Sequence, residues 1–342
     1  MPSPTPRDAG RRVVVRYRLA PATGRRAGDG PTATDVIGVL LSWEDGVLRL
    51  RPADGAVVEV AESTVVAARV VPARPVPRRD VRALEAAAAL AWRADEEERL
   101  GGWLLRAAGG FTGRANSCLP LGPVTGPLPV AVAAVEAWYG QRGLPPRFQV
   151  PEPLGADLTA HLDAAGWERL NPVLVLTADL PDLAAAVDAA QPDADPAAVH
   201  VSPAASPEWL ATYHYRGSTL PPGARSVLER GDTLGFASIR AEGGYDEGGW
   251  GESGRTVAVA RGAVTEGPDG RVWLGVTAVE VAPEQRRRGL GTAVLGGLTR
   301  WARDRGAGHV YLQVAEENAA ARAAYERLGL AEHHRYHYRR RR

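Results

Sequence analysis

A strand-to-helix junction in the last third of the sequence has the residue types of a phosphate-binding loop. From residue 279 the chain reads Val-Glu-Val-Ala-Pro-Glu-Gln-Arg-Arg-Arg-Gly-Leu-Gly-Thr. Gly289 and Gly291 remove side chains where a ligand must approach the backbone closely. Consecutive N–H groups ahead of a helix N-terminus bind anions, and the three arginines before Gly289 add positive charge. The junction therefore predicts a site for a phosphate or a pyrophosphate.

Two common phosphate-binding motifs do not fit this junction. A P-loop requires a lysine after its second glycine, and the chain contains no lysine. The dinucleotide fingerprint requires a third glycine where this chain has Val294. The junction must belong to another class of phosphate site.

A second group of polar residues follows in the stretch Asn-Ala-Ala-Ala-Arg-Ala-Ala-Tyr-Glu-Arg-Leu-Gly, which starts at Asn318. Asn318 and Tyr325 are seven residues apart and share one face of a predicted helix. Asn318 is also a good helix N-cap. Tyr325 is either a core aromatic residue or a hydroxyl donor at a site.

Together the two motifs resemble the signatures of the GNAT superfamily of N-acetyltransferases. Residues 286–291 match its pyrophosphate loop, Gln/Arg-x-x-Gly-x-Gly/Ala, and residues 318–329 resemble its second signature, with Leu330 in place of an aromatic residue. The resemblance covers roughly residues 198–340. It implies transfer of an acetyl group from the co-substrate acetyl-CoA to an amine, without a metal.

The resemblance also implies a role for individual residues. Backbone around Val279 and Val281 would hold the pantetheine arm and the thioester oxygen, Asn318 would contact the same arm, and Tyr325 would protonate the leaving thiolate. The pyrophosphate would lie on a loop with the following members: Arg286, Arg287, Arg288, Gly289, Leu290, Gly291 and Thr292.

The general base is less well defined. The acceptor amine must be neutral when it attacks, so its proton needs an acceptor. Some GNAT members carry a glutamate early on the strand that ends at Val281, and the corresponding position here is near Gly275. Glu280 is the candidate that remains on this strand, although alternation turns it away from Val279 and Val281. A structural or solvated role for Glu280, with a water chain to another acceptor, stays open.

The elements that position these residues form an α+β fold. We predict a mixed central sheet flanked by helices, arranged as tandem GNAT-like lobes and preceded by a small SH3-like β-barrel. The domains are a barrel over residues 1–75, a degenerate GNAT-like lobe over 80–190 and a catalytic GNAT domain over 198–342. Helices are predicted at 81–94, 129–142, 156–165, 183–190, 292–305 and 319–328. Strands are predicted at 12–19, 35–43, 47–51, 57–60, 65–71, 103–107, 116–119, 147–150, 173–177, 255–264, 271–281, 309–314 and 334–339.

The first lobe lacks both signatures. Residues 121–127 occupy the position of its loop and read Leu-Gly-Pro-Val-Thr-Gly-Pro, in which prolines remove N–H donors. We therefore expect that this lobe does not bind CoA. The turned segment 111–118 is either a structural hairpin or part of the acceptor site. The glycine-rich segment 242–251 predicts a mobile surface loop, and the four arginines that end at Arg342 predict a frayed tail.

Composition limits the partners. Forty-one basic and 40 acidic residues leave a formal charge of +1, which does not favour nucleic acid. The single cysteine excludes an intramolecular disulfide and a cysteine-based metal cluster. No apolar run approaches the ~20 residues of a membrane-spanning helix, and the first residues do not resemble a secretion signal. We expect a cytoplasmic protein without a membrane partner.

The acceptor stays open between a small-molecule amine and a protein lysine or N-terminus. The barrel favours protein docking or self-association, which would allow a homodimer. A different class of function also remains: a non-catalytic acyl-CoA-binding module that recruits a partner through its barrel.

Overall fold

The computed structural model divides the chain into two compact units, Met1–Pro75 and Val76–Arg342. It describes residues 4–19, 32–52, 55–71, 75–170, 172–192, 195, 198–215, 217–241 and 254–341. The predicted loop at 242–251 lies outside the described residues.

The first unit is an antiparallel five-stranded sheet with the order β4-β3-β2-β1-β5. Its alternating valines and leucines place one face of each strand in a common core that includes Val13, Leu40 and Leu48. Register shifts in β1 and β2 mark irregularities that bend the sheet. The strands lie where the sequence predicts them: β1 Arg12–Arg18, β2 Ala33–Glu44, β3 Val47–Pro52, β4 Val58–Ala61 and β5 Val65–Val70.

The second unit contains the remaining strands and all the described α-helices. The helices are α1 Arg78–Ala91, α2 Leu128–Gly140, α3 Ala156–Ala164, α4 Leu180–Ala190, α5 Pro207–Thr212, α6 Ala224–Leu228, α7 Leu290–Arg303 and α8 Ala319–Arg327. The strands are β6 Glu96–Leu100, β7 Trp103–Ala107, β8 Leu119–Pro120, β9 Arg147–Pro151, β10 Glu168–Arg169, β11 Val173–Asp179, β12 His200–Ser202, β13 Leu234–Arg240, β14 Thr256–Glu266, β15 Val272–Val281, β16 His309–Ala315 and β17 Ala331–Arg340.

A nine-stranded mixed sheet has the order β10-β17-β11-β16-β15-β14-β13-β12, with β9 also paired to β17. Helices α4, α7 and α8 cover one face, where Leu274 and Val276 of β15 pack into their cluster. Helix α1 covers the other face and packs on Trp273 and Tyr311. Helices α5 and α6 cover that second face further along, over β13 and β14. Alternation along β15 thus divides its side chains between two cores.

The two predicted lobes share strands in this sheet. Strand β11 lies between β16 and β17 and pairs with both. The first half of β17 pairs with β11, and its second half, from Tyr336 onward, pairs with β9 and β10. Each lobe therefore supplies a strand that the sheet of the other lobe needs.

Several local expectations were wrong. The strand predicted at 116–119 is a 3-10 turn over Arg114–Asn116 followed by β8. The tail predicted to be frayed is ordered over the part that the structure describes, because Arg339 is buried and lies 2.6 Å from a carboxylate oxygen of Asp163. Arg340 pairs with Glu168 at 2.8 Å. Six elements were not predicted from the sequence: strands β6, β10, β12 and β13 and helices α5 and α6. In the part of the chain that the structure describes, no helix has both the length and the apolar character to cross a membrane.

Candidate active site at the splayed strands

The parallel strands β15 and β16 separate in the middle of the sheet. They pair from Trp273 opposite His309 to Val276 opposite Leu312, and the pairing then stops. Just beyond, Ala278 has a φ of 52°, and neither Ala278 nor Val279 has a partner on β14. This bulge draws the end of β15 away from β16. The result is a cleft that opens toward the start of α7.

Thr277 and Gln313 are the first residues beyond the paired section. Val276 and Leu312 face the core under α7, so alternation turns Thr277 and Gln313 to the opposite face. Thr277 is 9% exposed, yet its hydroxyl oxygen has no hydrogen-bond partner. Buried hydroxyls are normally satisfied, so this one marks the cleft as a place where a ligand can bind.

The loop between β15 and α7 has the geometry of an anion cradle. Arg287 has a φ of 61° and Gly289 a φ of 81°, and α7 begins at the next residue, Leu290. The N–H groups at the start of a helix have no acceptor one turn earlier. The amide of Gln191 donates to the Gly289 carbonyl at 2.9 Å and holds the loop in place.

The three arginines of the loop differ in their contacts. Arg286 folds back and donates to the Val281 carbonyl at 3.1 Å, so it braces the end of the strand. Arg288 contacts the amide oxygen of Gln285. Arg287 is exposed and its side chain makes no such contact with any residue that the structure describes, which leaves its charge at the rim of the loop.

The loop fits a pyrophosphate by a simple steric criterion. A Cβ atom on Gly291 would have only Val281 within 4 Å, at 3.8 Å, so the protein itself does not require glycine there. Thr292 follows in the first turn of α7 and is half-buried. A glycine that internal packing does not need keeps space open for a group outside the chain.

Asn318 and Tyr325 lie at the two ends of α8. The Asn318 side chain accepts a hydrogen bond from the Ala321 N–H at 3.1 Å, so its N-cap role is confirmed. Tyr325 packs against the cluster that also holds Val279 and Val281. Burial raises the pKa of Tyr325, which keeps its hydroxyl protonated.

Glu280 projects to the face opposite Val279 and meets the loop after α5. One of its oxygens accepts from the His214 N–H at 2.6 Å, and the other lies 3.5 Å from His214 Nδ1. His214 Nδ1 also donates to the Thr212 carbonyl at 2.9 Å, so Nε2 is the acceptor nitrogen of the neutral imidazole. These groups line a separate cavity of about 400 Å³, which is also lined by Glu208, Arg240, Arg255, Thr256, Ala282 and Pro283.

Sequence reasoning missed His214 because it lies in a segment without a recognised motif. It also left open the role of segment 111–118. The side chain of Asn116 accepts from the N–H groups of Ala108 and Gly110 and fixes this segment as a tight turn. From that turn, Arg114 Nη1 donates to the Gln313 amide oxygen at 2.6 Å. A residue of the first lobe thus reaches the floor of the cleft.

Comparison with known proteins agrees with this architecture. The family model "Probable histone acetyltransferase Rv0428c C-terminal" matches residues 79–339. The model "Rv0428c N-terminal Sm-like domain" matches residues 7–69, and this domain is a small barrel like the one expected. The probable histone acetyltransferase Rv0428c of Mycobacterium tuberculosis is 35% identical over 330 residues, which are 96% of this chain and 94% of that protein.

Two further proteins are similar over most of the chain. The uncharacterized N-acetyltransferase YobR of Bacillus subtilis is 28% identical over 272 residues, or 76% of this chain and 98% of that one. A solved GCN5-related N-acetyltransferase from Kribbella flavida shares the fold with a TM-score of 0.51 and 16% identity, over 78% of this chain and 96% of that one. The chain therefore belongs to the family of the probable histone acetyltransferase Rv0428c and is an acyltransferase of the GNAT type.

Proposed function

We propose that the protein transfers an acetyl group from acetyl-CoA to a primary amine by direct attack in a ternary complex. The observation that carries this proposal is the position of the cradle at residues 287–292, which lies at the mouth of the cleft between β15 and β16. A cofactor whose pyrophosphate binds there can extend its pantetheine arm into the cleft.

Atoms and charges balance in a simple sequence. The amine lone pair attacks the thioester carbon, a C–N bond forms, and the carbonyl oxygen becomes an oxyanion. The N–H of Val279, which has no partner on β14, stabilises that oxyanion. The carbonyl then re-forms as the C–S bond breaks, and the Tyr325 hydroxyl protonates the departing thiolate. The phenolate of Tyr325 afterwards regains a proton from solvent. Asn318, at the N-terminus of the same helix, holds the pantetheine arm.

The acceptor amine must also lose protons, one before it attacks and one after the C–N bond has formed. An amine with a pKa of about 10 is mostly protonated at neutral pH, so a nearby acceptor is needed. We assign this role to the Glu280–His214 pair, in which His214 Nε2 is the free acceptor and Glu280 orients the loop that carries it.

We assign CoA to the second lobe alone. In the first lobe the equivalent loop is tied to its own backbone: the Leu121 N–H donates to Gly102 and the Gly102 N–H donates to Pro123. Arg82 binds the Leu121 carbonyl as well. Pro123 and Pro127 carry no N–H, so this loop lacks the unbroken run of donors that residues 287–292 have.

Tyr325→Phe tests the function. Loss of a general acid lowers the rate by about 100-fold or more, so kcat should fall by that factor while the Kd for CoA stays the same. Release of free thiol with a panel of amines gives kcat, and calorimetric titration gives the Kd. Tyr17→Phe, in the first unit, is the matched control.

Two results would contradict the proposal. One is binding of acetyl-CoA without thiol release for any amine, which would favour a non-catalytic binding module. The other is full activity of the Tyr325→Phe protein.

A further inference from the structure

Two arginines contact one tryptophan on the face of the sheet opposite α7. The guanidinium carbon of Arg114 lies 4.8 Å from the Trp92 ring centre, and that of Arg261 lies 5.0 Å from it. Arg114 comes from the first lobe, and Arg261 comes from β14 of the catalytic sheet. The Trp92 N–H donates to Thr112 at 3.0 Å, which fixes the position of the ring.

Neither arginine is neutralised by a carboxylate in the ranges that the structure describes. Arg261 is fully buried and donates to the carbonyls of Leu228 at 2.6 Å and Ala91 at 3.0 Å. Its Nη1 atom is buried without a partner. Buried cations are normally paired with an acid, so Arg261 needs an explanation.

Arg114 keeps one edge of its guanidinium free. Its Nη1 donates to Gln313, whereas Nε and Nη2 donate to no described residue and are not among the buried atoms without partners. The Nε–Nη2 edge is thus open to solvent. That edge binds a carboxylate with two parallel hydrogen bonds.

The electrostatics of the pair favour an anion. Burial, together with the like charge of Arg114, lowers the pKa of Arg261 to about 10. The nearby carboxylates already have partners. Glu280 binds His214, while Glu85 binds His334 at 2.9 Å and Gln149 at 2.9 Å.

The two arginines also lie next to the reacting centre. Arg114 is bound to Gln313, and Arg261 pairs across the sheet with Thr277. Gln313 and Thr277 are the residues at which β15 and β16 separate. An anion held by Arg114 would therefore lie beside the thioester, on the side away from the CoA loop.

We propose that Arg114 binds a carboxylate of the acceptor, with the buried charge of Arg261 adding to the positive potential there, so that the acceptor is an amine that carries a carboxylate, such as a free amino acid. This inference rests on the proposed acetyltransferase function. The first lobe, which does not hold CoA, then selects the acceptor. Arg114 is the specificity-determining residue, because its Nε–Nη2 edge binds no described residue and its Nη1 donates to Gln313.

Matched pairs of acceptors test the inference. Free amino acids and their decarboxylated amines, such as phenylalanine with phenethylamine and ornithine with putrescine, are compared with acetyl-CoA as donor. We expect kcat/KM to be higher for the amino acid of at least one pair. Loss of a hydrogen bond to a charged group corresponds to about 10- to 100-fold, so Arg114→Gln should lower kcat/KM for that amino acid by this factor, mainly through KM. The decarboxylated amine should be unaffected.

Two variants separate binding from folding. Arg114→Lys keeps the charge but loses the two-pronged edge, and we expect an intermediate KM. Arg305→Gln is the control, because Arg305 also stacks on a tryptophan, Trp301 at 4.6 Å, at the end of α7. Thermal unfolding of each variant shows that the fold is intact.

Each outcome decides the question. Equal turnover of both members of every pair, or an equal loss for both in Arg114→Gln, overturns the inference but leaves the proposed function standing. A third outcome is that the enzyme uses succinyl-CoA better than acetyl-CoA with a decarboxylated amine and that this preference is lost in Arg114→Gln. Arg114 would then bind a carboxylate of the acyl donor, and the assignment to the acceptor would be overturned. If no amine is acetylated, the proposed function fails, and the inference is then tested by ligand binding alone. N-acetylated amino acids with CoA must then raise the melting temperature of the wild type and not of Arg114→Gln.

Discussion

A Cβ atom on Gly275 would lie 2.3 Å from the hydroxyl oxygen of Tyr311. Gly275 is near the position at which some GNAT enzymes carry a glutamate base, and here the phenol ring on β16 fills that space. Burial raises the pKa of Tyr311, so its hydroxyl stays neutral. The base must come from another element, and the structure offers the loop after α5, which carries His214.

The close approach of Gly275 and Tyr311 predicts that the effect of a substitution at Gly275 on the free energy of unfolding depends on the residue at position 311. Overpacking of this kind costs about 1–3 kcal/mol, so Gly275→Ala should lower the free energy of unfolding by that amount. In Tyr311→Ala the same change should cost much less, and urea unfolding of the four proteins measures the difference. Additive effects would show that the two residues do not compete for space.

Two glycines of α7 predict opposite effects of the same substitution. At Gly291 a methyl group has only Val281 nearby, whereas at Gly297 it would meet Val199 at 2.4 Å. Gly291→Ala should leave unfolding unchanged or improve it slightly, because alanine favours a helix by about 1 kcal/mol. Its affinity for CoA should fall by about tenfold or more, since the methyl group crowds the pyrophosphate.

Gly297→Ala serves as the reverse control for that experiment. It should lower the melting temperature, and the folded protein should keep its Kd for CoA. Calorimetry and thermal unfolding of both variants make the comparison. Unchanged CoA affinity in Gly291→Ala would place the pyrophosphate elsewhere.

The histidines of β17 predict a loss of stability in acid. Burial and the neighbouring His334 lower the pKa of His333 to about 4, from an ordinary value of 6.5. The unfolded chain therefore binds more protons between these values, and stability present above pH 6.5 is lost as the pH falls toward 4. Burial lowers the pKa of His337 to about 4 as well, so it acts in the same window.

His333→Gln should remove part of this pH dependence. The urea midpoint of the variant should fall less than that of the wild type between pH 7 and pH 4. The same substitution at His200, an exposed residue on β12, is the control and should have no such effect. An identical slope for His333→Gln and the wild type would be inconsistent with a buried neutral His333.

The end of β17 predicts a long-range effect of truncation. Removal of residues 337–342 deletes most of the pairs with β9 and both pairs with β10, but keeps those with β11. The first lobe should then lose its cooperative unfolding transition, as seen by the fluorescence of Trp138 and Trp167 in its core. Removal of residues 341–342 alone deletes no strand pair and should leave that transition in place.

The sequence predicted the parts of the fold that local patterns encode. Helix α7 has apolar residues at helical spacing, and its predicted and observed bounds differ by two residues at each end. Strand β6 was missed because Glu-Glu-Glu-Arg-Leu has no apolar alternation, and its side chains are mostly exposed. Strand β13 contains a glycine, which weakens a strand pattern.

The candidate site divides in the same way. The cradle was predictable because its glycines and arginines are contiguous. Arg114 and Gln313 are 199 residues apart, and only tertiary structure brings them to 2.6 Å. His214 and Glu280 are separated by 66 residues, and Glu280 accepts from the main-chain N–H of His214. Because nearly every residue has a main-chain N–H, residue types alone do not predict this contact.

The pairing of β9 with β17 limits how far the first lobe can fold during synthesis. On a ribosome that adds about 5–20 residues per second, β9 is complete roughly 10–40 s before the arrival of β17, which lies about 190 residues later. During that interval β9 has an unpaired edge, and its natural partner has not been synthesised. The first lobe therefore completes its folding only after β17 has been synthesised. A chaperone that covers the edge of β9 until then would raise the yield of active enzyme.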